Sequence, residues 1–533
     1  MSISRRTFLA LGASVLVGAC TSNGDSATDT PDTTGTTEGP APSPPSTAAP
    51  VTTDATTTSA ATTTVPATTT TTIAALSADP FTLGVTAGDP DTESVVLWTR
   101  LTGLGLPDEV DVTWEVASDE EFGDITASGS ESAIARDGHS VHAIAEVAGP
   151  SWYRFRAGGS TSPAGWAAPA PAGATRELRV ATASCQHFET GYYAAHRDLA
   201  EWQPDLVAFL GDFIYEGAAG TIAPDRPRVH DGPEITDLAA YRARYAQYLS
   251  DPDLQAARAV APWLVVWDDH EVENNYAALV PQEPAESAAF PTRRDDAYQA
   301  WWEHMPVRLP RPEPGGWAIH RAVRWGDLAD VLLLDGRQYR SDQACGSPVL
   351  SPEPACLEAL DPARTMLGVD QEAWVGETLK AASATWTVLA QQTVMTNLRL
   401  GEAILNYDQW DGYGPARDRL LAQAATKDRL VVLTGDIHLA GVGRLPGVGV
   451  EFVTASISSA ANVDPSLQPV LDSFVDVVAS ELVHRGYTRH TVTAERWTAE
   501  FRIVDDVFDP ASAVSTWRSF HVDAAARDVV VPV

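Results

Sequence analysis

The residues of this chain best equipped for chemistry stand in four short motifs. They are Ser184-Cys185-Gln186-His187, Gly211-Asp212-Phe213-Ile214-Tyr215, Trp267-Asp268-Asp269-His270-Glu271 and Gly435-Asp436-Ile437-His438. Thiolate, carboxylate, phenolate and imidazole together form the donor set of a metal centre. A carboxylate such as Asp212 has two oxygens and can bridge two cations. Phenolate from Tyr215 and thiolate from Cys185 are strong donors of the kind a trivalent iron favours. Asp436 and His438 are two residues apart, so extended backbone turns both side chains the same way and lets them reach neighbouring cations. The chemistry expected of such a set is metal-dependent hydrolysis.

Those residues need elements that bring them together. Each motif follows a short apolar run, at 180–183, 206–210, 263–266 and 430–433, and such runs read as buried parallel strands. In an open α/β sheet the ligand crevice lies at the carboxyl ends of the strands, so the four motifs can converge. Further strands are expected at 329–334, 386–390 and 451–454. Helical spacing appears at 192–202, 238–248, 293–304, 371–382 and 416–424, which makes residues 177–533 a layered α/β domain. Residues 489–505 alternate like antiparallel strands and are expected to close an outer sheet.

Ahead of it, residues 79–170 read as a small all-β domain, an immunoglobulin- or fibronectin-like sandwich of about seven short strands. Its strands are expected at 81–85, 94–98, 110–116, 143–147 and 152–157, with a turn at Gly88-Asp89-Pro90 and with Trp98 and Trp114 in the core. Residues 163–171, rich in Ala, Gly and Pro, look like the linker between the two domains.

The first twenty residues carry a twin arginine, Arg5-Arg6, and an apolar stretch too short to span a bilayer, the pattern of a Tat export signal. Val17-Gly18-Ala19-Cys20 resembles a lipoprotein cleavage site, which would leave Cys20 lipidated and the protein tethered at the cell surface. Residues 21–78, dominated by Thr, Ser, Pro and Ala, cannot bury enough apolar surface to offset ordering and read as a disordered stalk. With 71 acidic against 36 basic residues the formal net charge is −35, which argues against a nucleic-acid partner. Cys345 and Cys356 bracket a Gly/Ser/Pro-rich loop and, in an exported protein, are expected to pair. Cys185 is then left over at the end of a core strand.

From Phe81 to His521 the chain resembles the alkaline phosphatase D (PhoD-like) family of calcineurin-like metallophosphoesterases. The resemblance is carried by the four motifs, extended to Glu216 and Asn275, and by Leu334-Asp335-Gly336-Arg337-Gln338-Tyr339-Arg340. It implies a metallophosphoesterase α/β sandwich and an iron(III), Fe(3+), held by Cys185, Asp212, Tyr215 and His438. It also implies calcium, Ca(2+), at a second position with Asp269, Asp436 and Asn275 as ligands, suited to hard oxygen donors. His270 would lie near the leaving-group oxygen, and Arg337 and Arg340 could recognise phosphate bidentately or pair with Asp335 and Asp342. Glu271 and Asn274 are expected to orient the ligands, and His187 to line the site.

The expected substrates are small phosphate mono- and diesters, met by a monomer outside the cytoplasm. Two other readings stand beside this one. A phospholipase D-like diesterase on the same scaffold would differ in the pocket that admits the lipid. A non-catalytic surface-binding protein would keep the fold and the metals without turnover.

Overall fold

The structure is a computed structural model that describes residues 76, 78–221, 226–346 and 356–533. The expected export signal, Cys20 and nearly all of the expected stalk lie outside the described residues. Two large sheets pack face to face and carry helices on their outer faces.

The first sheet has ten strands, and four of them run parallel at its centre: Leu178–Ala183, Leu206–Phe209, Pro262–Val265 and Val85–Gly88. On one side it continues through Arg485–Val492, Arg496–Val504, Val514–Asp523 and Val531–Pro532, and on the other through Ser94–Arg100 and Ser140–Glu146. The second sheet has seven strands. Its parallel core is Ala329–Leu333, Trp386–Ala390, Leu430–Thr434 and Gly449–Val453, flanked by Arg321–Trp325 on one side and by Ala440–Leu445 and Val477–Glu481 on the other.

Alternation along the second sheet explains its position. Val331, Leu333, Val388, Ala390, Val431 and Leu433 face the cluster shared with the first sheet, whereas Leu332, Leu334, Leu389 and Val432 face the helices Gly368–Ala381 and Gly414–Ala424. Both faces are apolar because both are covered. Trp386 meets Trp497 edge-on at 5.8 Å between ring centroids, and Phe452 meets His490 at 5.6 Å, joining the two sheets. The helices Ala194–Trp202, Leu238–Leu249, Pro252–Ala259 and Phe290–His304 belong with the first sheet.

The expected strands and helices are present within a few residues, with some corrections. The first strand begins at Val85 rather than at residue 81, because residues 82–83 form a turn. Ile125–Ile134 is a full strand that the sequence hides, since its residues are mostly polar and exposed. The stretch expected as a linker is built into structure: Gly165–Ala167 pairs with Ser151–Ala157, and Ala167 and Ala170 are buried. Cys345 and Cys356 form the expected disulfide.

The all-β segment is a sandwich, yet only one of its two sheets is its own. Glu109–Ala117, Ile125–Ile134, Ser151–Ala157, Ser160–Thr161 and Gly165–Ala167 make a five-stranded sheet. The opposing layer is the end of the ten-stranded sheet, whose Val85, Ala87, Val95 and Leu97 pack against Val112, Val116, Tyr153 and Phe155. Ala87 and Gly88 pair in parallel with Pro262 and Trp263, so the β segment and the catalytic sheet share a hydrogen-bonded ladder. Trp98 donates to the carbonyl of Glu303 at 3.0 Å, and Arg321 donates to Asp89 at 2.7 Å across the same seam.

A Cβ at Gly88 would lie 2.2 Å from the carbonyl oxygen of Pro306 and 2.7 Å from that of Trp263. Gly88→Ala therefore has to push the seam open. It is expected to lower stability by about 1–3 kcal/mol, the usual range for overpacking, as read from the urea midpoint.

Candidate metal centre

The four motifs do converge, and backbone hydrogen bonds between strand ends bring them together. Cys185 N–H donates to Gly211 O and Gln186 N–H to Asp212 O, both at 3.1 Å, which locks the first two turns together. Glu271, 1 % exposed, accepts from the backbone N–H groups of Asp212 at 3.0 Å, Phe213 at 2.6 Å and Asp268 at 2.8 Å. One buried carboxylate thus ties the second turn to the third, the orienting role expected of it.

These turns bend sharply. Cys185, Asp212, Asn275, Asp436 and His438 have φ of 59°, 57°, 55°, 67° and 55°, in the left-handed region where a side chain costs about 1 kcal/mol or more. Five of the residues singled out for chemistry therefore occupy backbone that would relax with glycine. The glycines before two of them have a different cause. A Cβ on Gly211 would lie 2.4 Å from Asp268 Cβ, and one on Gly435 would lie 2.5 Å from Ser184 Oγ. The Gly-Asp pairs mark where neighbouring strand ends pass too closely for a side chain.

Three groups of donors result, each with its ligand atoms within 4.8 Å of one another: Cys185, Asp212 and His438; Asp212, Asp269 and His270; and Asp268, Asp269 and Asp436. Asp212 belongs to the first two and Asp269 to the last two. Tyr215 joins the first group, its hydroxyl donating to Asp212 Oδ2 at 2.7 Å and lying 3.1 Å from His438 Nε2. His438 Nδ1 is 2.6 Å from the carbonyl of Ala460, which fixes the proton on Nδ1 and leaves the Nε2 lone pair toward Asp212 and Tyr215.

His270 lies over the Tyr215 ring at 4.1 Å, with Nδ1 2.7 Å from Glu216 Oε2, while Glu216 Oε1 accepts from Asn274 N–H. Burial alone would lower this imidazole, but Glu216, then Asp212 and Asp269, outweigh it and hold the ring well above its ordinary range. His187 also packs against the Tyr215 ring, at 4.4 Å. Asn275 enters through its backbone: its N–H donates to Asp269 Oδ2 at 2.6 Å and its carbonyl accepts from Gln343 at 2.8 Å.

Arg337 departs from expectation. Its side chain is fully buried and pairs with neither Asp335 nor Asp342 through the guanidinium. It donates to Asp268, to both oxygens of Asp408 at 2.9 and 3.1 Å and to Asp436 at 2.7 Å, and lies 3.7 Å from Asp269. Every nitrogen is engaged, so it offers no fork for phosphate and works as a fixed cation among carboxylates. Arg340 is likewise held by Asp408 at 2.6 Å. Asp408 itself was not singled out in the sequence: it sits in Asn406-Tyr407-Asp408-Gln409-Trp410, away from any strand end, beside Gln409, which donates to Asp436 Oδ2 at 2.6 Å.

Asp268, Asp269, Asp408 and Asp436 set four carboxyl groups against the two guanidinium groups of Arg337 and Arg340, and Asp212 and Glu271 lie beside them, all buried or nearly so. Burial pushes Asp436 up to about 6 despite Arg337, and burial followed by the charge of Asp212 pushes Glu271 up to about 8. Burial, then Asp212, also drives the Cys185 thiol and the Tyr215 phenol well above their usual range. Asp268 Oδ2 is buried without a hydrogen-bond partner. A donor set of this kind fits cations, which would offset the excess negative charge and favour thiolate and phenolate.

Comparison with known proteins bears on what the centre serves. The model of the PhoD-like phosphatase family matches residues 180–501, and that of the PhoD-like phosphatase N-terminal domain matches residues 63–171. Alkaline phosphatase D of Bacillus subtilis (strain 168) is 40% identical over 481 residues, covering 83% of this chain and 81% of that protein. A solved structure described as the structure of PhoD matches with a TM-score of 0.81 at 38% identity, covering 86% of this chain and 93% of that one.

Gly211 has φ of 104° and no room for a Cβ. Gly211→Ala is expected to displace Asp268 and Asp212 together, with a stability loss of about 2–4 kcal/mol from strain and overpacking. Metal content of the purified variant should fall with it, as read by elemental analysis.

Proposed function

This chain belongs to the PhoD-like phosphatase family, and from that premise we propose how it hydrolyses phosphate esters and with which metals. It is a phosphoric ester hydrolase. In our reading Cys185, Asp212, Tyr215 and His438 hold an iron(III), while Asp269 and Asp436, with Asn275, hold calcium. The observation that carries this is the position of Asp212, within ligand distance of Cys185 and His438 on one side and of Asp269 and His270 on the other. A carboxylate so placed could serve two cations at once.

When bound, such a pair of cations supplies Lewis acidity, activating water and offsetting charge on the phosphate oxygens. The rest of the reaction falls to the chain. Glu216 takes the Nδ1 proton of His270 as a hydrogen bond and leaves Nε2 to deliver a proton to the departing alkoxide. Arg337 and Gln409 each hold one oxygen of Asp436, which fixes the direction of that carboxylate. The strand-end turns, tied by Glu271, exclude bulk water from behind the donors. Ser184, the serine within the four motifs, is fully buried, so direct attack by water fits better than a phosphoenzyme.

We further read the substrates as small phosphate mono- and diesters outside the cytoplasm, taken by a monomer. The twin arginine Arg5-Arg6 supports Tat export, and Cys20 supports a lipid anchor at the cell surface.

Three measurements test the assignment. Iron-loaded protein should show a visible charge-transfer band from phenolate or thiolate, and a calcium chelator should abolish turnover of aryl phosphate esters while the band persists. Calcium should then restore activity; turnover indifferent to the chelator would remove calcium from the reading. Asp212→Asn is expected to lower kcat by at least about a thousandfold, as loss of a group acting on the transition state does, with circular dichroism unchanged. Near-normal turnover in that variant would end the two-cation role.

A further inference from the structure

We propose that Ser459 is a positioning residue for the metal centre, its hydroxyl donating to the Tyr215 oxygen and setting how strongly that phenolate donates to iron. The proposal rests on the reading of Tyr215 as an iron ligand given above. Ser459 follows the strand Gly449–Val453, in Thr454-Ala455-Ser456-Ile457-Ser458-Ser459, and is 1 % exposed. Its Oγ lies 2.8 Å from the Tyr215 hydroxyl and 2.8 Å from the carbonyl of Cys185, and it accepts from His187 N–H at 3.0 Å.

A hydroxyl has one proton to give, so these contacts compete. The carbonyl of Cys185 already accepts the backbone N–H groups of Ser459 at 3.2 Å and Ser458 at 3.4 Å. Two donors occupy its two lone pairs, which releases the Ser459 proton for the phenolate. The His187 N–H on Oγ polarises the hydroxyl in the same direction. Once Tyr215 has lost its proton it can no longer donate to Asp212 Oδ2, and its oxygen becomes an acceptor with Ser459 at hydrogen-bond distance. A hydrogen bond to a charged oxygen is the strong kind, so it draws electron density from the phenolate. Ser459 thereby links two ligand-bearing segments, the Cys185 turn and Tyr215, to the strand end that follows Val453.

The test uses the full iron-loaded protein and reads the iron itself. Removing the hydrogen bond makes the phenolate a better donor, so in Ser459→Ala the charge-transfer maximum should move to longer wavelength and the iron midpoint potential should fall. Ser459→Thr keeps the hydroxyl and should retain the parental maximum; Ser459→Cys, with a weak S–H donor, should lie between and covers the case in which the alanine variant does not fold. Resonance-enhanced phenolate vibrations identify the band. A band at the parental wavelength in both Ser459→Ala and Ser459→Cys overturns the proposal while leaving Tyr215 as a ligand. Absence of phenolate vibrations in the parent protein overturns the ligand reading and this inference together.

Discussion

Negative charge gathered at the carboxyl ends of parallel strands is the constraint on which the site depends. Removing an isolated carboxylate from water costs far more than any fold of this size can spare, so each one needs a partner. The chain answers in two ways. Glu271 is wrapped in three backbone N–H groups, and Arg337 is placed among Asp268, Asp408 and Asp436. What these leave unbalanced is what makes the pocket a receptor for cations. Stability and chemistry therefore share an origin here: the same excess charge that would open the strand ends is the charge that suits the site to cations.

Much of this was legible because buried parallel strands leave a distinctive trace. An apolar run with no polar alternation, followed by Ser-Cys, Gly-Asp or Asp-Asp, places the polar residue at the crevice, and Cys185, Asp212, Asp269 and Asp436 are all legible that way. Asp408 and Ser459 lack that trace. Asp408 precedes a short turn at Trp410–Tyr413, and Ser459 follows its strand by several residues, so periodicity gives neither away. Arg337 was found, but its partner was not, because nothing in the sequence ties residue 337 to residue 408. The shared sheet was equally hidden: local pattern places a strand at 81–85 and a turn at Gly88, whereas the strand is Val85–Gly88 and its pairing with Pro262–Val265 is a fact of tertiary structure alone.

The left-handed residues add a second signature that only coordinates reveal. A turn that bends this tightly would ordinarily recruit glycine, and the neighbouring Gly211 and Gly435 show that glycine is present where packing demands it. At Cys185, Asp212, Asp436 and His438 the chain instead retains a side chain on strained backbone. Local conformational preference is given up at those positions for the donor atoms, and the cross-links through Glu271 and Ser459 keep the turns from relaxing.

The parallel seam between Val85–Gly88 and Pro262–Val265 also governs when the molecule can be completed. The ribosome delivers the first of these strands long before its neighbour exists, and the opposite flank of the same sheet waits for Arg485–Val492 to reach Leu178–Ala183. The first pairing waits for the middle of the chain, and the second cannot be assembled until synthesis is nearly over. Maturation is thus deferred to the released polypeptide, and a translocation machinery that accepts only finished cargo would meet this protein with its sheet already closed.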